Sequence, residues 1–214
     1  MTASKYKYII WDWNGTLLDD VQYAVSSMNK LLQRRKLPLL DTEHYRKVFT
    51  FPVRNYYQKL GFNFAAEPFA KLAVEYLSEY YSHSDSFTLH KDAEYILKHY
   101  FDKGIKQFLL SASAEKELLA LVEKLGIKSY FSLIIGLDNH YADGKIERAK
   151  KALSGLQPDR QEIIVIGDTV HDFEVAKALG CNCLLVANGH QCRKRLEETG
   201  AAVVSSLGDI YNFV

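Results

Sequence analysis

Five short apolar runs constrain the fold of this chain more than any other feature, because each ends in small or polar residues and helical patterns separate them. The runs occupy residues 8–11, 107–110, 132–135, 163–166 and 183–186. Runs of four residues rich in β-branched and aromatic side chains predict buried strands. The helical patterns cover residues 93–103, 114–125, 146–153 and 173–179. Alternating strands and helices indicate an α/β fold, a doubly wound parallel sheet with helices on both faces.

The interval from about residue 20 to about residue 87 breaks this alternation. It has no convincing strand, and its helical patterns cover residues 21–35, 42–48, 53–60 and 67–83. A stretch of this length is too long for a single crossover helix. We therefore predict a core domain of residues 1–19 and 88–214 and an inserted helical cap domain, 20–87, that lies over the active edge of the sheet as a lid.

The composition excludes several classes of protein. The chain has 214 residues, 48% of them hydrophobic, with 27 Lys+Arg against 26 Asp+Glu and three cysteines. This balance disfavours disorder, a nucleic-acid partner, a membrane surface and a disulfide framework. The apolar run at residues 8–11 is too short for a signal peptide, and no stretch approaches the roughly 18 apolar residues of a membrane span. We expect a cytoplasmic monomer or homodimer.

Polar residues suited to phosphate or metal chemistry stand at the ends of the predicted strands or just after them. They lie in Asp12-Trp13-Asn14-Gly15-Thr16, at Ser111, in Asp143-Gly144-Lys145 and in Gly167-Asp168-Thr169-Val170-His171-Asp172. Ligands of open α/β sheets bind beyond the carboxyl ends of the strands, so we expect these residues to meet there. A calcium loop beginning at Asp12 is excluded, because Gly15 comes two positions early and Tyr23 stands where the loop needs Glu.

In this order, the four segments resemble the motifs of the haloacid dehalogenase superfamily. Its phosphatases carry Asp-x-Asp-Gly-Thr, then Ser or Thr, then Lys, then Gly-Asp-x-x-x-Asp. The resemblance spans nearly the whole chain and implies a Rossmann-like core with the family's helical first-type cap. Phe51-Pro52-Val53 followed by Lys59-Leu60-Gly61 is similar to the lid pattern of phosphoglycolate phosphatase-like members, although those normally have Gly before Pro. The resemblance implies a phosphatase that acts on a small phosphorylated metabolite, a phosphate monoester.

A carboxylate such as Asp12 can accept a phosphoryl group as an aspartyl phosphate. A phosphate dianion facing Asp12, Asp168 and Asp172 would be repelled unless a cation lay among them, and Mg²⁺ suits such an all-oxygen site. The resemblance implies Asp12, Asp168 and the main-chain oxygen of Asn14 as its ligands, with Asp172 completing the shell. It also implies that Ser111 donates a hydrogen bond to a phosphoryl oxygen and that Lys145 neutralises its charge. The expected substrate contacts are Gly15, Thr16, Ser111, Ala112, Lys145 and Arg54.

Several assignments have competitors. Ser113 stands close to Ser111, which we prefer for its strand-end position, and Ser111 could instead cap the helix that follows. Lys150 and Lys151 compete with Lys145 but resemble the solvated face of a helix. Arg54, Lys59 and Lys91 are candidate contacts for an anionic leaving group. The tyrosines of the cap are interpreted as packing residues rather than a binding surface: Tyr56, Tyr57, Tyr76, Tyr80 and Tyr81.

Asn14 departs from the family pattern, which has Asp at this position as general acid for the leaving oxygen and then as base for the attacking water. An amide can do neither, and such help is worth roughly 10²–10⁴ in rate. Four explanations stay open: a slow phosphatase, a proton supplied by another residue such as one from the lid, a phosphate-binding or regulatory protein with little turnover, or an introduced change that traps a complex.

Overall fold

The computed structural model describes residues 5–137, 145–154 and 159–213. Within these residues, six parallel strands form one sheet in the order β3-β2-β1-β4-β5-β6. The strands are β1 (Tyr8–Trp11), β2 (Lys106–Ala114), β3 (Leu133–Leu137), β4 (Ile163–Gly167), β5 (Asn182–Val186) and β6 (Ala202–Val204). The predicted α/β fold with a doubly wound parallel sheet is confirmed.

Helices follow the strands on both faces of the sheet. Those of the predicted core are α5 (Ala93–Asp102), α6 (Glu115–Lys124), α7 (Lys145–Ser154), α8 (Val170–Leu179) and α9 (Arg193–Glu197). Alternate residues of β1 enter different hydrophobic clusters: Ile9 and Trp11 pack on one face of the sheet and Ile10 on the other. The central strands β1 and β4 are therefore buried on both sides, which explains why they read as continuous apolar runs rather than as alternating ones. No helix in the described residues is long and apolar enough to cross a membrane.

The centre of the sheet fixes where a ligand can bind. β1 lies between β2 and β4, and Trp11 is in register with Leu109 and with Ile166. The N–H of the next residue, Asp12, donates to the carbonyl of Ile166 over 2.8 Å. From β1 the sheet continues through β2 to β3 on one side, and from β4 it continues through β5 to β6 on the other. The carboxyl ends of β1 and β4 therefore border the crevice where ligands of such sheets bind.

The interval between β1 and β2 is helical, as the sequence predicts. Residues 12–105, all of them described, contain no strand of the sheet, and their helices before α5 are α1 (Val21–Arg34), α2 (Thr42–Val48), α3 (Val53–Lys59) and α4 (Phe69–Tyr81). The chain leaves and returns through adjacent segments, since Asp19 N–H donates to Thr88 O and His90 N–H donates to Leu17 O, each over 2.9 Å. A core of 1–19 and 88–214 with a cap of 20–87 stays a prediction, and this paired crossing is the expected hinge.

An ion-pair network joins α1 to α4. The Arg35 guanidinium lies 2.7 Å from a Glu67 carboxylate oxygen and 2.6 Å from one of Glu75. Hydrogen bonds from Arg35 lower the pKa of Glu75, and hydrogen bonds from Arg35 and Lys71 lower the pKa of Glu67 to about 2. A carboxyl group whose pKa is lower in the folded state stabilises the fold at every pH above its ordinary pKa, which is 4.5 for Glu. This stabilisation is lost as the pH falls through the pKa of the folded state.

We therefore expect Arg35→Gln to lower the Tm at pH 7 by a few degrees. The difference from the wild type should shrink as the pH falls from about 4.5 towards 2, because protonated carboxyl groups no longer need the guanidinium. Thermal unfolding across this range measures the effect. Lys59→Gln removes the same charge at an exposed position of α3 and serves as the control. A Tm difference that is constant with pH contradicts the electrostatic origin.

Candidate active site

Three carboxylates meet at the carboxyl ends of β1 and β4, as the strand-end positions predict. Asp12 follows β1, Asp168 follows β4, and Asp172 lies in the first turn of α8. One oxygen from each lies within 4.8 Å of the others, and Asp168 and Asp172 are fully buried. The sequence spacing explains the arrangement, because Gly167 ends the strand and Thr169 turns the chain into the helix that carries Asp172.

Local geometry fixes the two buried carboxylates. One Asp172 oxygen accepts hydrogen bonds from the Thr169 N–H over 3.0 Å and from the Thr169 hydroxyl over 2.7 Å. Glycines provide the space: a Cβ on Gly167 would lie 2.2 Å from the Asp172 carboxyl carbon, and one on Gly189 would lie 2.1 Å from an Asp168 oxygen. Gly189 is a residue that the sequence analysis missed, although it follows β5 at the same edge of the sheet.

The Lys145 ammonium lies among these carboxylates. It donates to Asp12 Oδ1 at very short range and to Asp172 Oδ1 over 2.7 Å, and the side chain is buried. The Thr16 hydroxyl lies 2.7 Å from Asp168 Oδ1 and 3.3 Å from Asp12 Oδ2. Lys145 and Thr16 are therefore both within reach of the carboxylate expected to act as the nucleophile.

Negative charge exceeds positive charge in this cluster, which holds three carboxylates and one ammonium. The pKa of Asp12 is raised to about 8, because burial, together with the carboxylates of Asp172 and Asp168, outweighs the opposing charge of Lys145. Burial also raises the pKa of Asp168, to about 6. Raised pKa values of adjacent carboxyl groups are typical of a site that a cation completes. Carboxylate oxygens are the ligands that Mg²⁺ prefers, so this donor set fits that ion.

Asn14 is held by hydrogen bonds on both sides of its amide. Its Nδ2 donates to Asp20 Oδ2 over 3.0 Å and to the Tyr80 hydroxyl oxygen over 2.9 Å. Its Oδ1 accepts from the Ser113 hydroxyl over 2.8 Å, and the Ser111 hydroxyl lies 3.5 Å away. An ionised carboxylate can only accept, so the nitrogen of the amide must face Asp20. The position that carries the acid/base group in related phosphatases therefore holds a fixed amide.

A buried ion pair beside Asn14 was missed by the sequence analysis. His190 Nε2 lies 3.3 Å from Asp20 Oδ1, and its Nδ1 lies 2.8 Å from the Tyr45 hydroxyl. Burial lowers the pKa of His190, but the Asp20 carboxylate outweighs it and the pKa rises to about 9. The Tyr80 hydroxyl donates to the other Asp20 oxygen over 2.5 Å. Tyr45 from α2 and Tyr80 from α4 thus connect the helical insertion to the sheet edge.

The two competing serines lie together, but not as the sequence predicts. The prediction that the second strand ends at Ser111 is wrong, because β2 continues to Ala114, which pairs with Leu137 after a shift in register. Ser111 is fully buried, and its hydroxyl oxygen accepts the Ser113 N–H over 3.0 Å. Ala112 and Ser113 line the cavity described next. The role of Ser111 towards a phosphoryl group stays a prediction.

A cavity of about 170 Å³ separates the sheet edge from the helices of the insertion. Asp12, Asn14 and Lys145 are part of its wall, and apolar and aromatic side chains form most of the rest. All five tyrosines interpreted as packing residues border this space. The aromatic rings also pack on one another, as in the stacked pair Tyr76 and Tyr80 with centroids 5.9 Å apart.

Arg54, expected as a substrate contact, is not among the described residues that line the cavity. It is exposed, with its guanidinium 4.7 Å from the ring centroid of Phe64 and 5.9 Å from that of Phe69. Lys59 and Lys91 are also absent from the described part of the wall. The N–H of Gly15 donates to Asp20 Oδ1 over 2.7 Å, and the expected role of Gly15 as a substrate contact stays a prediction. Asp143 and Gly144 lie outside the described residues.

Comparisons with known proteins agree with this fold. A family model described as haloacid dehalogenase-like hydrolase matches residues 9–186. The chain is 22% identical over 239 residues to the phosphoglycolate phosphatase of Chromobacterium violaceum, covering 100% of this chain and 99% of that protein. It is 23% identical over 204 residues to the tyrosine-protein kinase PtkA of Mycobacterium tuberculosis, covering 94% and 69% respectively. The haloacid dehalogenase-like hydrolase SP0104 from Streptococcus pneumoniae superposes with a TM-score of 0.84 at 16% identity, covering 98% of both chains.

Proposed function

We propose, since this chain belongs to the haloacid dehalogenase-like hydrolases, that it is a Mg²⁺-dependent phosphatase that hydrolyses a small phosphate monoester through an aspartyl phosphate on Asp12. The observation that carries this proposal is the placement of the Asp12 carboxylate, in the wall of the cavity and beside the ammonium of Lys145. Relatives named as phosphoglycolate phosphatases support the phosphatase class.

The chemistry consists of two displacements at phosphorus. In the first, a carboxylate oxygen of Asp12 attacks, the ester P–O bond breaks, and the leaving oxygen takes the bonding electrons. In the second, water attacks the phosphorus of the aspartyl phosphate, loses a proton and releases inorganic phosphate, which restores Asp12. Lys145 and the Thr16 hydroxyl are placed to stabilise charge on Asp12 and on the phosphoryl oxygens. Asn14 can neither protonate the leaving oxygen nor take the proton from water.

Mg²⁺ would be held by Asp12, Asp168, Asp172 and the main-chain oxygen of Asn14, and when bound it would offset the charge of the phosphoryl oxygens. The support for this assignment is the excess of buried carboxylates over the single ammonium. Two hydrogen bonds already orient the Asp168 carboxylate. The Thr16 hydroxyl donates to one oxygen over 2.7 Å, and the backbone N–H of His190 donates to the other over 2.5 Å.

Mg²⁺ at about 100 times its Kd should stabilise the folded protein by about 2.7 kcal/mol, which raises the Tm by roughly 5–10 °C for a chain of this size. We expect Asp168→Ala to abolish this rise, because it removes a ligand. Differential scanning fluorimetry with and without Mg²⁺ measures the effect. Asp102→Ala, at an exposed position of α5, is the control. An unchanged rise in Asp168→Ala would place the metal elsewhere.

Pre-steady-state kinetics with p-nitrophenyl phosphate tests the proposed function. The first displacement needs no proton donor with this leaving group, whereas the second lacks a base because residue 14 is Asn. We therefore expect a burst of p-nitrophenolate stoichiometric with the enzyme, then slow turnover. Mass spectrometry of the acid-quenched protein should find one phosphoryl group on the peptide that contains Asp12. The absence of both phosphoryl enzyme and turnover for every phosphate ester tested would overturn the proposal.

The second candidate is a phosphate-binding or regulatory protein with little turnover. Asn14 favours it, because hydrogen bonds to Asp20, Tyr80 and Ser113 occupy both sides of the amide and leave no acid/base group at this position. This candidate predicts binding of inorganic phosphate in the presence of Mg²⁺ without any burst. The burst experiment therefore distinguishes the two functions.

A further inference from the structure

The wall of the cavity facing Asp12 is unusually aromatic for a site expected to bind a small phosphorylated metabolite. The side chains that border it include Phe49, Phe51, Tyr57, Tyr76, Leu77 and Tyr81. Most of these are only half-buried, although the rings pack closely on their neighbours. Aromatic walls whose accessible surface is mainly apolar are typical of sites that bind flat apolar ligands.

The charged residues of the same wall argue against a substrate whose organic part is an anion. Lys145 is the single Lys or Arg among the described residues that line the cavity, and its ammonium already contacts Asp12 and Asp172. The imidazole of His190 already contacts Asp20. A carboxylate placed among the rings would lose its hydration without gaining an ion pair, which is strongly unfavourable.

The volume of the cavity suits a small organic ligand. Its volume of about 170 Å³ is close to the roughly 150 Å³ of an engineered apolar cavity that binds benzene. One aromatic ring with small substituents therefore fills a space of this size, with the phosphoryl group directed towards Asp12 and Lys145.

Asn14 gives a second, independent reason for the same class of ligand. A phenolate leaves with the electrons of the P–O bond as a stabilised anion and takes its proton later from water, whereas an alkoxide needs a proton as it leaves. The missing proton donor therefore slows the first displacement least when the substrate is an aryl phosphate. The aromatic wall and the amide at position 14 belong to different parts of the chain, and both favour the same chemistry.

We infer that the substrate is an aryl phosphate, the phosphate monoester of a phenol with a single ring, rather than a phosphorylated carboxylic acid such as 2-phosphoglycolate. This inference rests on the proposed phosphatase function, because it specifies the organic part of the substrate of the same site.

Binding of three phosphonates in the presence of Mg²⁺ tests the inference without turnover, since their C–P bond does not depend on a leaving group. By isothermal titration calorimetry, we expect phenylphosphonate to bind about 10- to 100-fold more tightly than methylphosphonate, because the ring is buried. Phosphonoacetate, which carries a carboxylate, should bind no more tightly than methylphosphonate. Equal affinities, or tightest binding of phosphonoacetate, would overturn the inference and leave the phosphatase proposal intact.

The remaining outcomes are equally decisive. If none of the three phosphonates binds, the inference is wrong, and the burst experiment with p-nitrophenyl phosphate decides the phosphatase proposal separately. If phenylphosphonate binds tightly but p-nitrophenyl phosphate gives neither a burst nor turnover, the phosphatase proposal fails and the aryl phosphate is a bound ligand only.

Two alanines of α4 provide matched variants. Ala73 lines the cavity, whereas Ala70 on the same helix is exposed. Ala73→Leu should fill part of the space and weaken phenylphosphonate binding about 10-fold or more while leaving methylphosphonate binding unchanged. Ala70→Leu should change neither affinity, and similar Tm values would show that both variants are folded. An unchanged affinity of Ala73→Leu for phenylphosphonate would place the ring outside this cavity and contradict the inference.

Discussion

Asn14→Asp is expected to raise the turnover of an alkyl phosphate by about 10²–10⁴, the usual contribution of a positioned general acid. An alkoxide is a poor leaving group without a proton, and a carboxyl group at this position can supply one. The same group can then act as a base towards the water that attacks the aspartyl phosphate. Steady-state release of inorganic phosphate from an alkyl phosphate measures the gain.

The surroundings of residue 14 favour this result. The Asn14 amide nitrogen lies 3.0 Å from an oxygen of Asp20, which is fully buried. A carboxyl group at that distance from a carboxylate is stabilised in its protonated form, because two adjacent negative charges repel. The variant would therefore hold a proton beside the cavity, where the leaving oxygen needs it.

The turnover of an aryl phosphate should increase less in Asn14→Asp. Its first displacement needs no acid, so only the second displacement gains, and the burst of p-nitrophenolate should disappear as the aspartyl phosphate stops accumulating. Asn63→Asp makes the same chemical change at an exposed position of the insertion and is the control. Wild-type turnover of alkyl phosphates at ordinary phosphatase rates, with no gain in Asn14→Asp, would mean that another group supplies the proton.

The sequence predicts most of the sheet, because a strand buried on both faces is apolar at most of its positions. The five predicted strands agree with β1 to β5 within a few residues, and the main difference is that β2 runs past Ser111 to Ala114. β6 and α9 were not predicted. They have three and five residues, which is too short for a hydrophobic period to be recognised.

The carboxylates of the candidate site were also predictable, whereas their neighbours were not. Asp12, Asp168 and Lys145 lie at or near strand ends, and a parallel sheet brings such ends to one edge. The pairing of Asp20 with His190 depends instead on how the insertion packs, since Tyr45 and Tyr80 complete its hydrogen bonds.

Arg54 illustrates the same limit. It belongs to α3, whose buried residues are Tyr56 and Tyr57. With these rings turned inward, the guanidinium is left over Phe64 and Phe69 on an exposed face. A motif gives the position of an arginine in the chain but not the face of the helix that tertiary packing will bury.

Asp12→Asn is expected to reduce the turnover of every phosphate ester by about 10⁴–10⁶, the range found when one member of a catalytic unit is removed. The burst and the phosphoryl group on the Asp12 peptide should both disappear, because an amide oxygen does not form the acyl phosphate. Quenched-flow measurement with p-nitrophenyl phosphate and mass spectrometry of the quenched protein test this.

The fold should survive this substitution. An amide has nearly the shape of the carboxylate, and its oxygen still accepts a hydrogen bond from Lys145, which also keeps its contact with Asp172. One negative charge leaves a cluster of three buried or nearly buried carboxylates, so the metal-free Tm should be at or above that of the wild type. Asp19→Asn, at a half-exposed carboxylate seven positions later, should retain the burst and is the control. A burst that persists in Asp12→Asn would place the nucleophile on another residue, and a Tm far below that of the wild type would mean that the loss of turnover reports unfolding.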